Sequence, residues 1–325
     1  MLIKSTQEMR AFLGRAISSD FTFDSLKPYL ELAQQDYLVK ALGAEYWAIL
    51  EAQALNSEVN NPILPLVSRA LAFYAYHKYL PYSIGLDSDN GLQETESDST
   101  KPLRIGVLEK RQRETIENAS NALESVLLEL FKNKTTYQAF WATPYGISLK
   151  SVWFPTATHL TDVLPLVGGS YRMFVSINRY FVWAEVSKVL PVIGMATLTQ
   201  IKQAHINNAT DEVLVNACRL LKQYIAWAAY EEALLFLNVV QLGNGSLRVL
   251  SEFDGINNTK APDEKLWAEY KRGIQNRTDG AYNDLIGFLS KNVATFSDFA
   301  NQAAYKPERG RLPDNSKYKS IFRMK

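Results

Sequence analysis

One cysteine, three histidines and a net charge of +1 in 325 residues leave little room for several kinds of chemistry. Cys218 stands alone, so no disulfide can form within the chain, which fits a reducing compartment. It sits in a long apolar helix, where a small core residue is expected. His77, His159 and His205 lie far apart and without metal-ligand spacing, so each is expected to have a structural role. With 35 basic and 34 acidic residues no overall field steers the chain to nucleic acid or to an anionic membrane. The most apolar stretch, YIAWAAYEEALLFLNVV, is broken by Glu231 and Glu232, whereas a membrane span needs about 20 apolar residues. Those two carboxylates project about 100° apart on a helix and do not face one substrate. The opening MLIKSTQEMR has no apolar core of a secretory signal. There is no Gly-x-Ser-x-Gly elbow, no phosphate loop and no His-Glu-x-x-His. LGNGSL lacks the third glycine of a dinucleotide fingerprint. DSDNG places Gly91 one position early for a calcium loop and reads as an acidic turn. No catalytic, cofactor-binding or metal-binding residue is expected, and the chain is not expected to be an enzyme.

What the chain does contain is a pattern written twice. LKPYLELAQQDYLVKALG, from Leu26 to Gly43, is matched 151 places later by INRYFVWAEVSKVLPVIG, from Ile177 to Gly194. Tyr29 falls on Tyr180, Ala33 on Ala184 and Gly43 on Gly194, with apolar residues on apolar residues between them. Upstream, Leu2-Ile3 falls on Trp153-Phe154 and Ser5 on Thr156, predicting an extended pair of residues followed by a capped short helix. Ser5 and Glu8 have capping-box spacing. Gly43 and Gly194 stand where a left-handed residue ends a helix.

Further along, both copies carry a long Ala- and aromatic-rich helix leading to an Asn-Gly pair between β-prone runs. Asn90-Gly91 and Asn244-Gly245 therefore predict two β-hairpins. The first hairpin is acidic, with Asp87, Asp89, Glu94, Glu96 and Asp98; the second is apolar, with Val239, Val240, Leu247 and Val249. A long last helix follows each, striped by Ile116, Ala119, Leu123, Val126, Leu127 and Leu130 in the first copy. Asn133 and Asn292 close the copies. The expected fold is mainly α: two tandem helical-bundle modules from internal duplication, each with one β-hairpin insertion. The expected bounds are 1–134, an aromatic linker 135–152, a second module 153–292 and a basic tail 293–325.

The linker and its flank concentrate aromatic residues, among them Trp141, Tyr145, Trp153 and Phe154. Packing between the modules accounts for them, or else a patch for another subunit, since Trp and Tyr are enriched at interfaces. The tail carries Arg309, Arg311, Lys317, Lys319 and Arg323 with two prolines and no periodicity, as expected of an arm that orders on a partner.

A helical module opening L-x-P-Y-L…A-x-x-D…LG, repeated at 177–194 and joined to two Asn-Gly hairpins, resembles the head–tail connector proteins of tailed bacteriophages. The doubled form is similar to an uncharacterised family from phage and prophage structural modules of gut bacteria. The resemblance implies a virion structural protein of the neck, assembled in the bacterial host cytoplasm, with portal and tail or neck proteins as partners. It carries over no catalytic residue. A homo-oligomeric ring is implied, and the divergence of the two hairpins favours twelve copies over six. A soluble helical enzyme or regulator with a ligand site between the modules is the alternative from another class, and a non-phage bacterial scaffold is a third.

Overall fold

The computed structural model describes residues 2–14, 17, 22–56, 61–83, 85–88, 91–94, 105–234, 236, 239–241, 247–249 and 264–305. Two compact units result, Met1–Arg179 with Ala233–Trp267, and Tyr180–Glu232 with Ala268–Lys325. The first unit takes in the aromatic segment 135–152 and the opening of the second sequence copy, so the copies and the units differ in their bounds.

The first unit is built on helices whose apolar residues recur at helical spacing. Leu2 and Ile3 are buried and lead into α1 (Thr6–Leu13), where Ser5 Oγ accepts a hydrogen bond from the Glu8 N–H at 3.2 Å. The Glu8 carboxylate accepts in return from Lys4 N at 2.6 Å, one residue further back than a capping box requires. Then come α2 (Phe23–Ala33), a π-helical turn (Gln34–Leu38), α3 (Val39–Leu42), α4 (Ala44–Leu55) and α5 (Ile63–Tyr79). In α5, Val67, Ala70, Leu71, Tyr74 and Ala75 are all buried. This stripe packs on α2 and, most extensively, on α6 (Ile105–Lys132). Between α5 and α6, β1 (Gly85–Ser88) pairs antiparallel with β2 (Gly91–Glu94), Gly85 opposite Glu94. The unit continues through α7 (Gln138–Ala142), α8 (Pro144–Lys150) and α9 (Ala157–Thr161) into α10 (Tyr171–Ala184). Thr156 caps α9 as Ser5 caps α1: its Oγ1 accepts from the His159 N–H at 3.3 Å.

The second unit repeats the pattern. A π-helical turn (Glu185–Val189) ends α10 and is followed by α11 (Leu190–Ile193), α12 (Met195–Ile206), α13 (Glu212–Ala233) and α14 (Glu264–Lys291). Within it Lys202 Nζ donates to Glu185 Oε1 at 2.7 Å, and the Tyr230 and Tyr270 hydroxyls lie 2.6 Å apart. A short ladder pairs β3 (Val239–Gln241) with β4 (Leu247–Val249). Among the described residues no helix is long and apolar enough to cross a membrane.

The duplication reaches the backbone itself. Both π turns, α3 and α11, and α4 and α12 match at the same 151-residue offset, and α6 and α14 are both 28 residues long. The repeat also continues past Asn133 and Asn292. Tyr137, Phe140 and Thr143 donate their N–H groups to Asn133, Tyr137 and Phe140, and Phe296, Phe299 and Gln302 do the same to Asn292, Phe296 and Phe299. The segment read as a linker is thus the end of a module. Its Tyr137, Phe140 and Trp141 belong to the first unit's core because a half-turn cap leaves them no other apolar cover.

Gly43 and Gly194 end one helix and begin the next with φ of +82° and +78°. Their ψ values of 146° and 159° are extended, not the left-handed helical conformation expected from position alone. Glycine reaches this region without strain and residues with a Cβ do not. A Cβ on Gly43 would lie 2.8 Å from Tyr145 Cβ, whereas one on Gly194 would meet the side-chain amide of Gln302 at 2.6 Å, the end of a flexible chain. Gly43→Ala is therefore expected to cost about 2–4 kcal/mol and Gly194→Ala about 1–2 kcal/mol in urea unfolding. Equal losses would show that Tyr145 yields as readily as Gln302.

Candidate functional site

A π turn inserts one backbone residue into a helix and re-aims the side chains around it, a feature found often at functional positions. The turn Gln34–Leu38 brings Asp36 and Tyr37 to the rim of a cavity of about 310 Å³ within the first unit. Tyr37 stacks on Tyr74 of α5 with ring centres 4.0 Å apart and planes 11° from parallel. Lys78 Nζ donates to Asp36 Oδ2 at 2.6 Å and lies 5.3 Å from the Tyr37 ring centre. Lys40 stands 3.8 Å from the other Asp36 oxygen, with its side chain 71% exposed. The lysines hold the Asp36 carboxyl below its usual range, Lys78 contributing most, and Asp36 raises Lys78 in turn.

The walls come from distant parts of the sequence. Leu123 and Leu127 of α6, Phe154, and Phe174 of α10 supply apolar surface, while Tyr145 of α8 and Tyr171 of α10 supply hydroxyls. Glu124 fixes the far wall. Its buried carboxylate accepts from Ala157 N at 3.1 Å, Thr158 N at 2.8 Å and Thr158 Oγ1 at 2.8 Å, which satisfies the free N–H groups opening α9. The Phe131 ring meets His159 edge-on at 5.6 Å on the same helix. Burial pushes the Tyr171 and Tyr145 hydroxyls above their usual range and Tyr74 up to about 12.

These shifts set an alkaline limit. A tyrosine whose folded pKa is raised stabilises the fold fully below its unfolded value near 10 and loses that contribution as pH rises toward the folded value. Tyr137 and Tyr224, both raised mainly by burial to about 12, act in the same direction. Melting temperature is expected to fall steadily from pH 10 to 12, with tyrosinate absorbance at 295 nm appearing only as the chain unfolds. Tyrosinate absorbance rising fully at pH 10 in the folded protein would contradict the burial.

The aromatic residues picked out in the sequence are structural. Trp141, Trp153 and Phe154 are buried, and Trp141 Nε1 donates to the Leu130 carbonyl at 3.1 Å. Tyr145 is half-buried between Gly43 and the cavity. Packing, not an exposed patch, accounts for all of them. Gly91 opens β2, while Asn90, Asn244, Gly245, Arg309, Arg311, Lys317, Lys319 and Arg323 lie outside the described residues. His77 Nδ1 lies 3.2 Å from the Gln112 carbonyl, and His159 Nδ1 lies 2.7 Å from Thr156 Oγ1. The Cys218 thiol donates to the Ile201 carbonyl at 3.3 Å, and burial raises it above the ordinary thiol range. Among the described residues no group of His, Cys, Asp and Glu could hold a metal ion.

Two similar helical modules, each with a π turn and a glycine hinge, define a duplicated mainly helical protein. The chain belongs to a family of unknown function, DUF6712, whose model matches it twice, over residues 23–148 and 189–309. The first match runs through α7 and into α8, in agreement with the backbone repeat past Asn133. Neither the curated proteins nor the solved structures contain a match to the chain.

Proposed function

We propose that the chain is a structural subunit of a tailed-phage neck, a head–tail connector that assembles by non-covalent contacts with portal and tail rings. The reading rests first on the resemblance of its repeated module to connector proteins. The supporting observation in the structure is the way the two modules differ on their surfaces. Val182, Val186 and Met195 of the second copy are 66%, 55% and 63% exposed. The matching positions of the first copy are Glu31, Gln35 and Ala44. Exposed valine and methionine on one module, with polar or small residues on the other, suit modules that occupy different places in an assembly. Twelve copies follow from that difference, with the second module at the contact and the two ladders as projecting hairpins.

Val182→Glu and Val186→Gln together give the second module the first module's residues. The double variant is expected to melt within about 1 °C of the parent, because both side chains are exposed, and to lose at least tenfold in self-association by sedimentation. Unchanged self-association would remove this face from the interface. A second reading, a regulator with a ligand site, is favoured by the cavity. That cavity lies inside one unit, and it is lined from both sides of the sequence junction between the copies.

A further inference from the structure

We infer that the cavity beside the first π turn is a binding site for a small amphipathic carboxylate, an apolar or aromatic body ending in an anionic head. The inference deepens the ligand-site reading and is independent of the connector proposal.

Size comes first. About 310 Å³ is within the range of small-molecule sites and exceeds a packing defect, which in a well-packed interior seldom holds more than a water. The lining divides by chemistry. Leu123, Leu127, Phe154 and Phe174 form an apolar wall suited to a ring or a short chain. Opposite them, Tyr145 and Tyr171 bring two hydroxyls into a desolvated place, and among the described residues neither hydroxyl has a hydrogen-bond partner. A buried hydroxyl left unpaired is costly, so two on one cavity call for an acceptor. Tyrosines elsewhere in the molecule are paired: Tyr137 donates to Glu129, and Tyr230 meets Tyr270.

The rim chooses the charge. Asp36 is already held by Lys78 at 2.6 Å, whereas Lys40 reaches the same carboxylate only at 3.8 Å. Lys40 is thus the rim cation whose charge is least satisfied. Two hydroxyl donors inside and an under-paired ammonium at the mouth all favour an oxygen acceptor carrying negative charge. A cationic ligand gains none of these contacts.

Three probes test the assignment on the full-length chain: 3-phenylpropionate, its neutral counterpart 3-phenylpropan-1-ol, and the cation 2-phenylethylamine. Ligand-observed NMR and calorimetry are expected to show saturable binding of the carboxylate with Kd at or below about 1 mM. The alcohol should bind several-fold more weakly and the amine not saturably. Tyr171→Phe keeps the ring and removes the donor; Lys40→Ala lies at an exposed position and does not threaten folding. Each is expected to weaken the carboxylate about tenfold, and Lys40→Ala is expected to leave the alcohol unchanged. No saturable carboxylate binding, equal binding of carboxylate and alcohol, or carboxylate affinity unchanged in both variants would each overturn the assignment. Alcohol bound as tightly as carboxylate would spare the cavity as a ligand site and remove only the carboxylate. Because the assay needs no partner protein, none of these results bears on ring assembly.

Discussion

Gly146→Ala is expected to destabilise the first unit by about 3 kcal/mol or more, at the upper end of what overpacking usually costs. The reason is local. Thr143 caps α8 by accepting from the Gly146 N–H at 3.0 Å, which draws the first turn of α8 onto the last turn of α7. A Cβ on Gly146 would fall 2.2 Å from the Phe140 carbonyl oxygen and 3.0 Å from Trp141 Cα. All of these are backbone atoms, so no rotamer change relieves the overlap. The Phe140 carbonyl also accepts from the Thr143 N–H and Oγ1 at 3.1 and 2.7 Å, and moving it would loosen the cap. Phe140 and Trp141 are buried and would move with it. Gly280→Ala on α14 is the control. Nothing lies within 4 Å of its added methyl, so the gain in helix propensity should stabilise by roughly 0.5–1 kcal/mol. Thermal unfolding separates the two; a Gly146→Ala protein that melts with the parent would show that α7 and α8 are not held this closely.

Glu124→Ala should cost about 3 kcal/mol. One buried carboxylate accepts three hydrogen bonds, and bonds to a charged group contribute more than neutral ones. Truncation leaves the Ala157 and Thr158 N–H groups without their acceptor inside the protein. Glu124→Gln keeps one acceptor oxygen and should lose roughly half as much. Amide exchange distinguishes this from a general loss of stability. The Ala157 and Thr158 amides should lose protection in Glu124→Ala at denaturant concentrations where the α5 amides stay protected. Loss of protection in both regions together would mean that Glu124 supports the whole unit and not the docking of α9.

The helical class and the duplication were readable because apolar residues at helical spacing, a glycine and a capping Ser or Thr recur at one offset. Gly43 and Gly194 were recognisable as special, but sequence position does not distinguish a left-handed helical ψ from an extended one, and both need positive φ. The π turns carry no residue signature: QQDYL and EVSKV share only an apolar last residue. The continuation of each module past Asn133 and Asn292 was hidden because Tyr137 and Phe140 sit in an aromatic run that also suited a surface patch. The cavity was out of reach. Its lining runs from Asp36 to Asn178, and Glu124 finds its partners among backbone groups 33 and 34 residues away, where side-chain identity gives no signal.

Native mass spectrometry of the purified full-length chain, alone and with a portal protein encoded beside it, tests the proposed assembly role most directly. A connector subunit is expected to form a homo-oligomeric ring, twelve chains where the modules play different parts, and to bind the portal. Six chains would put both modules in equivalent places and overturn the twelve-copy arrangement. A chain that stays monomeric at every concentration and does not bind the portal would contradict the connector proposal itself.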